Sequence, residues 1–66
     1  MRSQIRAARK DAKLTQVALA RAVGVTTRAV QKWEAGKAEP RAAVLREIAL
    51  ATGKDLGFFF EAEVAA

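Results

Sequence analysis

Between residues 16 and 35 the chain lays out two short amphipathic segments separated by a single glycine, and this arrangement constrains the fold more than any other feature. Thr15 is placed to cap a helix over 16–23, with Val17, Leu19, Ala20 and Val23 as its inward face. Gly24 follows at once, where the backbone needs a residue at ease with positive φ. Thr26 is placed to cap a second helix from Thr27 to about Ala35, stopped by Gly36. Ala20 is small enough to let the two helices cross closely. Val30 and Trp33 would pin the second helix to a core by one side, which leaves its other side free.

The flanking sequence supplies the rest of that core. Met1 to Ala12 reads as a helix with Ile5, Ala8 and Ala12 at three-to-four spacing. Residues 36–40 form a loop, because Gly36 stops a helix and Pro40 pushes Glu39 out of the helical region. Arg41 to Ala51 follows with Val44, Leu45, Ile48 and Ala49 on one stripe and Gly53 as its stop. Asp55 is placed to cap a fifth helix from Leu56 to about Glu61, with Leu56, Phe59 and Phe60 on one face and Phe58 facing out. Gly57 weakens that helix by roughly 1 kcal/mol relative to alanine. An edge strand pairing with a second copy over residues 56–64 therefore stays open. The expectation is an all-α fold, a compact bundle of five short helices forming one domain over residues 1–66. Alanine makes up 16 of the apolar residues, which favours helix but leaves few large side chains for the core.

Composition excludes several chemistries. With no cysteine and no histidine the chain has no disulfide, no thiolate or imidazole metal site and no Ser-His or Cys-His nucleophile pair, so neither an enzyme nor a cofactor is expected. No apolar run approaches the length of a membrane span or a secretion signal, so a cytoplasmic protein that binds no membrane is expected. Charge is unevenly divided. Residues 1–41 carry ten Lys and Arg against three acids, and residues 42–66 carry two against four. A basic front with a mildly acidic, aromatic tail suits a polyanion on one face.

A glycine turn, a helix anchored by one side and a free basic face describe a helix-turn-helix, whose second helix enters the major groove. The outward residues Thr27, Arg28, Gln31 and Lys32 supply hydroxyl, guanidinium, amide and ammonium groups suited to base edges. The sequence resembles the phage-repressor/Cro-like (XRE) helix-turn-helix family from about Ile5 to Phe60. The resemblance is carried by Leu14-Thr15-Gln16, Leu19-Ala20, Gly24-Val25-Thr26, the run from Val30 to Lys37, and Pro40. It implies a lambda-repressor-like DNA-binding domain that reads bases with Thr27, Arg28, Gln31 and Lys32. It also implies that Gln16, Thr26, Lys37 and Arg41 meet the DNA backbone. Ala35 departs from the polar residue common in relatives, so a contact is expected to be missing there. Arg2, Arg6, Lys10, Lys13 and Arg21 read as long-range attraction or solvated helix faces.

Glu34 lies beside Trp33, where a lone carboxylate is costly to bury. The family resemblance implies that Arg9 pairs with it in a structural salt bridge. The resemblance further implies a transcriptional regulator, expected to be a repressor, bound as a homodimer to a palindromic operator in double-stranded DNA. No separate dimerisation domain is evident, so Phe58 and Val64 are expected at the dimer interface. Activation through RNA polymerase is the variant of this reading. An antitoxin that binds operator DNA and masks a toxin with its C-terminal segment is the alternative class.

Overall fold

The computed structural model describes residues 2–60. Four α-helices follow in order, α1 (Arg2–Asp11), α2 (Gln16–Val23), α3 (Thr27–Glu34) and α4 (Ala42–Thr52), and a 3₁₀ turn (Leu56–Phe60) ends the described chain. There is no strand among the described residues, so the strand alternative fails over residues 56–60.

Local chemistry explains where α2 and α3 begin and how they are joined. The Thr15 hydroxyl oxygen accepts the Ala18 N–H at 3.0 Å, and that of Thr26 accepts the Ala29 N–H at 3.1 Å. Each such cap contributes about 1 kcal/mol. At the end of α2, Gly24 takes φ +74°, which lets the Val25 N–H turn back to the Ala20 carbonyl at 2.9 Å. The same closing geometry ends α1 at Lys13, with φ +59° and a Leu14 N–H to Arg9 carbonyl bond of 3.0 Å. A lysine thus occupies a backbone conformation that usually falls to glycine.

The core is built from Ile5 and Ala8 of α1, Leu19 and Ala20 of α2, Val30 and Trp33 of α3, Leu45, Ile48 and Ala49 of α4, and Phe59. Helices α2 and α3 pack on each other, α1 packs against α3 and α4 against α2, α1 and α4 meet each other, and the 3₁₀ turn closes over α1 and α4. Each helix of the pair is therefore backed by one other, α3 by α1 and α2 by α4.

Four expected core positions differ. Val17 is 46% exposed. It lies two residues, or about 200° of helix, from Leu19, so both cannot face inward. Ala12 falls in the turn after α1, half-buried. The terminal segment winds as a 3₁₀ turn, whose rise moves Leu56 ~6 Å along the axis from Phe59. Phe59 is fully buried, whereas Leu56 stays at the rim, 41% exposed. Phe58 does not face out: its half-buried ring packs edge-on to Phe59, with centroids 5.4 Å apart, and lies under the Lys54 ammonium. Phe60 is likewise half-buried. Val64 lies outside the described residues.

Candidate nucleic-acid interface

Helix α3 sorts its side chains by side. Val30 and Trp33 are buried, so Arg28, Gln31 and Lys32 emerge on the opposite surface, all exposed. With Ala35 and Lys37 they line one shallow depression that has no carboxylate among its described lining residues. Thr27 is half-buried at the start of the helix. The Thr26 hydroxyl is exposed and spends a lone pair on the Ala29 N–H, which leaves its own proton to donate. None of the four α-helices carries an acid in its first turn, so the positive ends of their dipoles are uncompensated by their own side chains. Arg41 is exposed at the N-cap of α4 and makes no side-chain capping bond there. Lys37 and Ala38 are exposed in the loop after α3, and so is Glu39, whose charge opposes that of Lys37.

Behind this surface the Glu34 side chain is 1% exposed and gathers four donors. Arg9 grips it with a two-pronged fork, Nε to Oε2 at 2.7 Å and Nη2 to Oε1 at 3.0 Å. The remaining Arg9 nitrogen, Nη1, donates to the Leu14 carbonyl at 2.9 Å. Oε1 also accepts from Arg6 Nε at 3.4 Å and from Gln16 Nε2 at 3.2 Å. Burial alone pushes the Glu34 carboxyl up. The hydrogen bonds from Arg9 and Gln16, the Arg9 charge and the Arg6 contact outweigh burial and hold it below its ordinary value. The carboxylate therefore stays ionised and ties α1, α2 and α3 together from within.

This cluster changes the picture of two side chains. Gln16 stands at the start of α2 with one amide N–H committed to Glu34, which fixes its direction and leaves the second N–H for an outside acceptor. Arg6 leans on Glu34 instead of being wholly solvated. Its signal in the sequence was position alone: Arg6 precedes Arg9 by three residues, close to one helical turn. Arg2 also acquires a place, because its Nη1 lies 3.5 Å from the Ala35 carbonyl at the end of α3.

A sequence model of the helix-turn-helix family matches residues 5–59, reaching from the core residue Ile5 in α1 to the core residue Phe59 in the 3₁₀ turn. The chain belongs to that family. It is the phage-repressor-like (XRE) helix-turn-helix family, a fold of DNA-binding regulators. No curated relative and no solved structure matches the chain. The helix-turn-helix itself is α2, the Gly24 turn and α3, and the basic depression lies on the helix that the family places in DNA. No helix among the described residues is long and apolar enough to cross a membrane.

Proposed function

We propose that this helix-turn-helix protein is a sequence-specific repressor that lays α3 in the major groove of double-stranded DNA. One observation carries the reading: α3 is anchored through Val30 and Trp33, so Arg28, Gln31 and Lys32 project together from its opposite side. Arg28 and Lys32 suit guanine O6 and N7, Gln31 suits adenine N6 and N7, and Thr27 suits a neighbouring base or methyl group. Thr26, Lys37, Arg41 and the free amide proton of Gln16 set the register by holding phosphates. Arg9 and Glu34 support the site structurally by locking α1 to α3. Repression follows where the operator overlaps a promoter.

Two copies on a palindrome would place their α3 helices ~34 Å apart on one face of the duplex. The half-buried Phe58 is a poor anchor for such a dimer. Leu50, at 77% exposed, and Leu56 line an apolar hollow flanked by Arg46 and Asp55. A two-fold contact through that hollow would bring Arg46 and Lys54 of one copy toward the Asp55 of the other. For the antitoxin alternative, Phe59 is committed to the core, whereas Phe58 and Phe60 keep part of their surface for a partner.

Selection of bound duplexes from a random pool tests the reading. A defined, two-fold-symmetric consensus is expected, altered at particular base pairs by Arg28→Ala and Lys32→Ala. A pool that stays random after repeated selection would refute it.

A further inference from the structure

Beside α3, a second depression is lined by Arg2, Ser3, Arg6, Ala7 and Lys10 of α1 together with Glu34 and Ala35. Arg2, Arg6 and Lys10 recur every four residues and so form one cationic stripe along the helix. Ser3 and Ala7 between them are short and leave the space open. Glu34 is the only carboxylate among the described lining residues, and it already answers to Arg9. Asp11, the acid of α1, pairs with Lys54 at 3.1 Å. Arg6 meets Glu34 only through Nε, and its side chain remains 53% exposed.

Only Lys10, in the last turn, helps α1 itself. Like charges four residues apart destabilise a helix, and Arg2 sits in the first turn, where the dipole disfavours a cation. Arg2 is nevertheless accommodated closely. A side chain at position 36 would put a Cβ 2.7 Å from Arg2 Nη1, so Gly36 leaves the room in which that guanidinium lies over the end of α3. Ala35 lines this depression and also the one formed by Arg28, Gln31, Lys32 and Lys37. The two basic hollows thus meet at a small residue, with Arg2 at the junction.

We infer that the α1 hollow is a second phosphate-binding surface, which takes the sugar-phosphate backbone of the same DNA duplex where it leaves the α3 depression across Ala35. The ligand is a backbone phosphodiester, and recognition there is by charge with no base preference. This rests on the proposed reading of DNA by α3. It extends the footprint to a helix outside the helix-turn-helix. It also gives Arg2 and Lys10 a function, and Arg6 a share in it through its terminal nitrogens.

The test measures salt-dependent binding of the full chain to a duplex chosen by selection and to one of random sequence. Wild type is compared with Arg2→Gln/Lys10→Gln, with Ala7→Glu, and with Lys32→Ala. Arg6 is left in place because of its contact with Glu34. Glutamine and glutamate keep helix propensity, and a melting curve followed through Trp33 verifies that each variant is folded. The double variant is expected to lower the log–log salt slope by ~0.9 for each phosphate lost. At 0.15 M salt that is about a 5-fold loss of affinity per phosphate, the same for both duplexes. Ala7→Glu, which puts a carboxylate on the floor of the hollow, is expected to weaken both duplexes at least as much. An unchanged slope in the double variant, or a loss confined to one sequence, overturns the α1 site even when Lys32→Ala still weakens the selected duplex. If Lys32→Ala has no effect and wild type holds both duplexes equally, the α3 reading fails as well.

Discussion

Replacing Arg9 by alanine would remove the fork on Glu34, and the size of the loss follows from the geometry. Two charge-assisted bonds of 2.7 and 3.0 Å disappear, together with the bond to the Leu14 carbonyl. The carboxylate left behind is 1% exposed. Stranding one partner of a buried pair costs about 3–5 kcal/mol. Here Arg6 and Gln16 still reach Oε1, so the lower end, ~3 kcal/mol, is expected. At 0.05–0.15 kcal/mol per residue, a chain of this length has roughly 3–10 kcal/mol in total, so the variant approaches unfolding at ambient temperature. Glu34→Ala strands the less buried Arg9 and is expected to cost ~2–3 kcal/mol. Urea unfolding followed by circular dichroism and by the single tryptophan, Trp33, measures each loss. In the double variant no charge is stranded, so its loss should fall short of the sum of the two by ~1.5–3 kcal/mol. Losses that add to within ~0.5 kcal/mol would refute the bridge.

Other outcomes follow from the same structure. Because Glu34 is held below its ordinary value of 4.5, its contribution is full above that value and is lost as pH falls through the depressed one. Wild type should therefore lose stability on acidification below about 4.5, and Glu34→Gln should flatten that acid limb in pH-dependent urea titrations. Gly24→Ala meets open space but must hold φ +74°, so it should cost ~1 kcal/mol in thermal unfolding through backbone strain alone. Leu50→Asp should convert a dimer to a monomer in sedimentation while leaving the helical signal intact. A wild type that sediments as a monomer on its operator would contradict the two-fold surface.

Much of the architecture was legible because it rests on local chemistry. Thr15 with Gly24 and Thr26 with Gly36 bracket α2 and α3 to within a residue, since side-chain caps and positive φ act over three or four positions. The outward set Arg28, Gln31 and Lys32 followed from fixing Val30 and Trp33 inward. What escaped depends on partners distant in sequence. The 3₁₀ winding of Leu56–Phe60 is set by docking on α1 and α4, and it decides which phenylalanine fills the core. The tether from Gln16 to Glu34 and the contact of Arg2 with the end of α3 span 18 and 33 residues. No periodicity encodes such pairs. Lys13 at φ +59° was likewise hidden, because lysine carries no sign of a left-handed turn.

Whether the outward face of α3 reads bases is decided by Arg28→Ala, measured on the selected operator and a set of its single-base-pair variants. The variant protein is expected to lose ~1–3 kcal/mol of discrimination at one or two base pairs, with the rest of the preference profile and the unfolding midpoint unchanged. An equal weakening at every base pair would reduce Arg28 to a phosphate contact, and an unaltered profile for Arg28→Ala and Lys32→Ala alike would contradict base reading by α3.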